Sequence, residues 1–285
     1  MRREARHVQR LSGRMVAYIL LIAITVVGIA PIAWITSTSL KPQSEVFQSR
    51  PHWIPPHPTI ENYAKAFRQY PLLIWLKNSL LVAAMTLVVA MLCDVLAAYA
   101  FARLEFKGRN IVLSLIVASI MLPGESAAIP LYRLARMLGI ADTAIGIVLP
   151  QAAEAIGLFL IVQFFRTIPK ELSEASSLDG CSHWTILWRI VFPLSIPAIS
   201  VMTILTFVSS WNNFFWPLVV TFSSSSMTLP VGLSSIMSAF TEAAEARQYG
   251  LMMAISLISC LPAIIVFLVL QRRFIQAITM TGIKG

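Results

Sequence analysis

The stretch Leu251-Met252-Met253-Ala254-Ile255-Ser256-Leu257-Ile258-Ser259-Cys260-Leu261-Pro262-Ala263-Ile264-Ile265-Val266-Phe267-Leu268-Val269-Leu270 holds five Leu, four Ile, two Val and one Phe, and no charged side chain. Crossing the hydrocarbon of a bilayer takes about 20 mostly apolar residues. These twelve side chains, at about −0.3 to −0.6 kcal/mol each, contribute roughly −4 to −7 kcal/mol to insertion. Off-centre placement lowers the sum, but nothing charged opposes it. The stretch reads as a membrane span and sets the standard for the rest of the chain.

Five further runs meet that length: Met15–Ser37, Ser79–Phe101, Ile111–Leu131, Ala144–Phe165 and Ile190–Val220. Composition agrees, with 57% hydrophobic and 12% charged residues, the latter about half the roughly 25% of a soluble domain. The expectation is an all-α integral membrane protein: a tail over 1–14, a six-span domain over 15–273 and a second tail over 274–285. The net charge of +9 does not point to nucleic acid, because the basic residues lie between apolar runs, as membrane topology requires. Arg2, Arg3, Arg6, Arg10 and Arg14 precede the first run as in a signal peptide, but that run exceeds the ~7–15 residues of an h-region and reads as an uncleaved span.

Lys and Arg set the orientation. With the N-terminus in the cytoplasm, the inner segments carry those five arginines, then Arg103, Lys107 and Arg109, then Arg166, Lys170 and Arg189, then Arg272, Arg273 and Lys284. The outer segments carry fewer: Lys41, Arg50, Lys65, Arg68, Lys77, Arg133, Arg136 and Arg247. Both termini are therefore expected inside, with an inner loop over 166–189 and an outer loop over 40–77. The outer loop is rich in proline and aromatics, with a short helix over Ile60–Gln69 capped by Thr59. Its aromatics are either interfacial anchors or a docking face. Further breaks are expected at Pro123-Gly124 and Pro130, a short helix at Tyr132–Leu138 ended by Gly139, and another helix-prone stretch at Thr241–Gln248.

Between the fourth and fifth runs lies a polar knuckle, Glu174-Ala175-Ser176-Ser177-Leu178-Asp179-Gly180-Cys181-Ser182-His183-Trp184. Pro169 suits a first helical turn, Glu171 and Glu174 favour the positive N-terminal end, and Gly180 is a natural stop. One short helix over Lys170–Asp179 follows. Ser182 can cap a second helix, in which Trp184, Leu187, Trp188 and Val191 form one apolar stripe expected to lie on the membrane surface. A short rigid helix between two spans can transmit force, because pushing on it moves both.

These residues carry a resemblance. Glu174-Ala175-Ser176, Gly180, Ile190 and Pro193 resemble the EAA motif of ABC-importer permeases, with Ser176 where Ala is usual and Phe192 where Leu is usual. Ala98-Tyr99-Ala100-Phe101-Ala102-Arg103, Pro130-Leu131-Tyr132, Leu138-Gly139-Ile140, Trp211-Asn212, Pro217-Leu218, Leu229-Pro230-Val231-Gly232-Leu233 and Gly282-Ile283-Lys284-Gly285 are similar to the MalG-type subunits of the carbohydrate branch. The resemblance implies a MetI-like, MalG-like type I importer fold in a bacterial inner membrane, with the knuckle as a coupling helix. Glu174, Ala175, Ser176, Asp179 and Gly180 would meet a cytoplasmic ATPase dimer, and Gly282, Lys284 and Gly285 would touch it too. A homologous second permease and an external solute-binding protein would complete the importer.

No Gly-four residues-Gly-Lys-Ser/Thr pattern occurs in this chain, so ATP and Mg are expected on the partner and no cofactor here. The four histidines and three cysteines show no ligand spacing, so no metal is expected. The chain is accordingly expected to be a transport subunit and not an enzyme.

Four features bear on the solute. Trp211, Asn212 and Asn213 combine flat rings with amides, which suits a sugar, or else form an interfacial belt. Asp94, Glu125 and Glu154 are acids within or beside apolar runs; they line a hydrophilic path, or snorkel to water, or accept hydrogen bonds from a neighbouring helix. Alternatives remain: glycerol-phosphate or another polar solute in the same kind of importer, or an ion-coupled secondary transporter using Asp94, Glu125 or Glu154. The second would be expected to carry internal repeats and broken helices, and no convincing repeat is visible. A membrane enzyme would need clustered His or acids, and the acids are scattered.

Overall fold

The computed structural model describes residues 2–48, 52–242 and 248–282, with side chains described for 14–48, 52–238, 248–269 and 271. Among them every regular element is helical. The chain divides into two compact units, one of residues up to Tyr70 with Ser235–Cys260, the other of Pro71–Ser234 and the residues from Leu261 onward.

In the first unit, helix α1 (Arg2–Ser39) contains the apolar span Arg14–Ser39 and extends back through the expected tail. Its apolar side chains stay exposed over most of its length, as suits contact with lipid. The end of α1 is knotted by polar contacts. Asn62 donates from Nδ2 to the carbonyls of Ser39 and Lys41, both at 2.8 Å, and the Ser39 and Tyr63 hydroxyls lie 2.7 Å apart. Lys41 is buried; its ammonium donates to the His52 carbonyl and stands 4.6 Å from the Trp34 ring centroid. The expected loop helix appears as α2 (Glu61–Gln69), and Thr59 Oγ1 accepts the Glu61 N–H at 3.1 Å.

The second unit is built on α3 (Leu72–Arg103), a helix of 32 residues without proline or glycine. It packs against α6 (Ala144–Gln151), α7 (Ala155–Thr167) and α10 (Ile196–Asn212). Three of the six expected spans are bent. Helix α4 (Arg109–Ser119) turns through 97° into α5 (Ala128–Met137) across a 3₁₀ turn at Gly124–Ala127. Helices α6 and α7 meet at 47°. The loop helix α8 (Lys170–Leu178) is followed by α9 (His183–Leu194), which meets α10 at 80°.

Several expectations are corrected. Pro130 does not break its helix, because it sits in the first turn of α5, where no amide hydrogen is required. Ala144–Phe165 is not continuous; Pro150 stands one residue before the end of α6, and Glu154 takes an extended backbone before α7. Ile190–Val220 is three pieces, since α10 ends at Asn212 and α11 (Phe215–Val220) restarts after Phe214. The stripe on α9 divides instead of lying flat. Leu187 and Val191 are buried while Trp184 is exposed, and a π-turn over Leu187–Val191 alters the spacing. The segment 221–249 contains a helix, α12 (Leu229–Glu242). The stretch Thr241–Gln248 falls largely on residues outside those described. The last helix, α13 (Tyr249–Gly282), runs past the expected end of its span.

The core at one end of α3 joins Ala98, Tyr99 and Ala102 to Ile161, Val162 and Phe165 of α7 and to Ile186, Leu187 and Val191 of α9. At the other end Val82 meets Ala135, Ile147, Val148, Trp216 and Val220. There Trp216 Nε1 donates to the Gly146 carbonyl at 3.1 Å, so the large buried ring keeps its polar atom paired.

Candidate functional site

The knuckle is the most clearly built feature outside the spans. Pro169 serves as the residue before α8 and not as its first helical position. Helix α8 ends in a Schellman pair: Cys181 N–H donates to the Ser176 carbonyl at 3.0 Å and Gly180 N–H to the Ser177 carbonyl at 3.1 Å. That geometry requires a left-handed residue, and Gly180 has φ 82°. Ser182 Oγ then accepts the Thr185 N–H at 3.2 Å, starting α9 as expected.

Glu174, Ala175, Asp179 and Gly180 are exposed on this helix, and Leu178 is 90% exposed. The Ser176 hydroxyl donates to the Leu172 carbonyl at 2.7 Å and the Ser177 hydroxyl to Ser173 at 2.9 Å. Ser176 thus turns its oxygen back on its own helix, which lets it stand where Ala is usual. A cleft of about 480 Å³ behind α8 is lined by Tyr99, Arg103, Lys170, Ser173, Glu174 and His183 among others.

The base of the knuckle is held by two residues that sequence reasoning did not single out as functional. Arg103 Nη2 donates to the carbonyls of Phe165 and Ile168, at 2.9 and 2.8 Å. The Tyr99 hydroxyl lies 3.2 Å from His183 Nδ1. The only sequence signal was the Tyr-Ala-Phe-Ala-Arg stretch ending the second apolar run.

The proposed path residues scatter. Trp211 is 2% exposed, with Phe207 stacked 5.9 Å away at 13°, so its ring is a packing element and not an open sugar platform on this chain. Asn213 Oδ1 accepts the Trp216 N–H at 3.4 Å in the first turn of α11, while Asn212 is exposed. Glu125 is exposed at the 97° bend. Glu154 is exposed at the α6–α7 break and accepts the Ser209 hydroxyl at 3.4 Å. Ser209 was missed; it lies one turn before Asn212 on α10 and joins Glu154 in a small polar surface. Asp94 does not snorkel: it is 3% exposed, and its Oδ2 has no hydrogen-bond partner. Among the described residues no group of three or more His, Cys, Asp or Glu is placed to hold a metal. Lys284 and Gly285 lie outside the described residues, and Gly282 is the last described position of α13.

A second polar construction stands at the opposite end of α3. Asp142, at φ 62°, accepts the Phe222 and Ser223 N–H groups at 3.0 and 3.2 Å, and its own N–H donates to the Val220 carbonyl at 2.9 Å. Burial by itself raises the pKa of the Asp142 carboxyl. The hydrogen bonds from the Ser223 side chain, the two backbone amides and the Ser226 side chain outweigh that effect and hold the carboxyl below its ordinary value. Asn78 donates to the Ser225 and Met227 carbonyls, and Trp75 Nε1 to that of Ser224, so α3 grips the same loop.

Apolar spans, bent at polar breaks and joined through a polar helix, define a multi-span helical membrane protein. The chain belongs to the family of binding-protein-dependent transport system inner membrane components, whose model matches residues 94–280. It is 33% identical over 276 residues to the sulfoquinovosyl glycerol transport system permease of Agrobacterium fabrum, covering 96% of this chain and 95% of the relative. It is 34% identical over 258 residues to the arabinooligosaccharide transport system permease of Bacillus subtilis, covering 90% of each. The trehalose transport system permease of Mycobacterium tuberculosis is 31% identical over 96% of this chain and 100% of the relative. A bacterial ABC transporter that imports the acidic polysaccharide alginate contains a chain with TM-score 0.82 and 26% identity, covering 93% of this chain and 97% of that one. Broken spans do not separate an ABC permease from an ion-coupled transporter here; family membership does, and it sets the ion-coupled reading aside.

Proposed function

We propose that this chain is one membrane half of a sugar or oligosaccharide importer, worked by a separate cytoplasmic ATPase dimer through α8. A homologous second permease completes the pore, and an extracytoplasmic binding protein delivers the solute. ATP and Mg belong to the ATPase. The observation that carries the coupling role is the exposure of Glu174, Ala175, Leu178 and Asp179 on a helix flanked on both sides by contacts to α3, at Ile168 before it and His183 after it. Such a helix passes on a push instead of deforming under it. The relatives named for arabinooligosaccharide and trehalose transport support the sugar class.

In this reading both termini and α8 face the cytoplasm, as the Lys and Arg distribution favours. The 15–273 region is the permease domain between two tails, and the 282–285 tail reaches the ATPase. Closure of the ATPase dimer moves α8, the attached spans rock, and the cavity between the two permeases changes the side on which it opens. Glu154, Ser209 and Asn212 line part of that path. Their carboxylate, hydroxyl and amide suit a polyhydroxy solute. Glycerol-phosphate fits less well, since α6, α10 and α11 carry no Lys or Arg and α7 only Arg166 at its end.

The test is Glu174→Lys in the whole transporter, reconstituted with its ATPase, second permease and binding protein. ATP-dependent uptake should be lost while membrane insertion is retained. Uptake at the unsubstituted level would refute the coupling role.

A further inference from the structure

Helix α8 is joined by chain to α7 before it and α9 after it. It is not joined by chain to α3, yet both of its feet rest on one face of that helix. Arg103 takes the carbonyls of Phe165 and Ile168, where α7 ends and α8 is about to begin. Tyr99 stands four residues earlier, hence one turn back on the same face, and meets His183, where α9 begins. Around these polar ties Ala98 and Ala102 of α3 pack with Phe165, Ile186 and Leu187.

The Phe165 carbonyl lies in the last turn of α7 and takes the Ile168 N–H at 3.3 Å as well as Arg103, and Ile168 is the extended residue that follows the helix. A guanidinium is suited to take both carbonyls at once, because its donors are fixed in a plane and its charge favours a helix C-terminus. A flexible loop would let α8 slide past α3. The contacts at both feet remove that freedom.

Helix α3 is also the longest uninterrupted element of its unit. It has no proline, no glycine and no break over 32 residues, whereas the spans on either side of the knuckle are broken at Glu154 and Ser195. A displacement leaving α8 through α7 or α9 meets a joint, at Glu154 or at Ser195. A displacement entering α3 at Arg103 meets none, and it passes Asp94, which packs against Gly157 three residues beyond the Glu154 break.

We propose that Arg103, seconded by Tyr99, is a positioning residue that makes α3 move with α8 as one body. Helix α3 is then the arm that carries coupling motion to the polar break at Glu154. This rests on the reading of α8 as the coupling helix.

The experiment uses the complete transporter in proteoliposomes and measures ATP hydrolysed per solute imported. Four single variants are compared: Arg103→Ala, Arg103→Lys, Tyr99→Phe and Glu174→Lys. Arg103→Ala should raise the ratio several-fold, with ATP hydrolysis persisting as uptake falls. Arg103→Lys, which keeps the charge and a donor, should recover part of the loss. Tyr99→Phe removes one hydroxyl, disturbs folding least and should raise the ratio by a smaller factor. A merely structural Arg103 would lower uptake and hydrolysis in parallel. That result overturns the proposal, as does an unchanged ratio in Arg103→Ala and Tyr99→Phe while Glu174→Lys uncouples. If Glu174→Lys leaves the ratio untouched, the coupling reading of α8 itself fails and takes this proposal with it.

Discussion

A β-carbon added to Gly157 would begin 2.6 Å from Oδ2 of Asp94. The missing side chain on α7 is what lets the buried carboxyl of α3 lie between α3, α7 and α10, with the Met202 methyl 3.3 Å from the same point. Gly157→Ala should therefore overpack this junction, at a cost of about 1–3 kcal/mol. The Met202 tip can move aside, but Asp94 is seated on the rigid middle of α3. Thermal denaturation of the detergent-solubilised protein should show the loss. Adding Asp94→Ala should restore part of it, because the two positions contend for one space. A double variant no better than the sum of its singles would mean that the strain lies elsewhere.

Gly180→Ala should weaken the end of α8 by about 1–2 kcal/mol, since an L side chain disfavours the left-handed backbone that the Schellman pair requires. Asn tolerates that conformation better, so Gly180→Asn should cost less. Limited proteolysis between Asp179 and Trp184 is the readout. Cleavage should be fastest for Ala, slower for Asn and slowest for Gly. Equal rates would show that the pair at Ser176 and Ser177 does not depend on residue 180.

Much of this architecture was legible because hydrophobic length and local stop signals act over short distances. The apolar runs, the helix ended by Gly180 and the cap at Ser182 all depend on neighbours within a few residues. What escaped depends on distant partners or ambiguous punctuation. Pro230 and Gly232 are helix-breaking types by propensity, yet Pro230 occupies a first-turn position of α12 and Gly232 lies under the Trp75 ring. Pro193 and Pro197 flank the 80° turn at Ser195, the first just before the end of α9 and the second in the first turn of α10, and the sequence alone does not tell a bent end from a change of direction. Trp211 and Asn213 read as sugar contacts or as an interfacial belt, and their partners in the fold, the Phe207 ring and the Trp216 N–H, are set by packing that composition does not show. Arg103 was counted for its charge, and its partners lie 62 and 65 residues away.

Lys41 predicts the behaviour of the first unit. Its ammonium is buried against Trp34 and paired with the His52 carbonyl, and Trp53 meets Trp34 edge-on at 5.2 Å. Lys41→Met keeps the apolar stem but removes the donor and the cation, leaving His52 without that contact. The expected loss is about 1–3 kcal/mol. Hydrogen exchange should quicken in residues 52–57 and stay unchanged in α3. Exchange that quickens in both, or in neither, would show that Lys41 does not hold this loop in particular.

Asp142 predicts an acid limb to stability. Its carboxyl is held below the ordinary value in the folded chain by the amides of Phe222 and Ser223 and the hydroxyls of Ser223 and Ser226, against the opposing effect of burial. The unfolded chain therefore takes up a proton more readily than the folded one. The stabilisation is fully present above the ordinary carboxylate pKa of about 3.9 and is lost as the pH falls through the lower folded value. Asp142→Asn keeps a left-handed-tolerant residue and one acceptor oxygen but has nothing to titrate. The variant should melt below the parent chain at pH 7, and the gap should narrow as the pH drops below about 3.9. Asp142→Ala should show the larger deficit at neutral pH, because it keeps the φ 62° backbone and loses every side-chain acceptor. A gap of the same size at pH 3 and pH 7 would mean that shape, and not the ionised carboxylate, fastens the loop at Phe222 and Ser223.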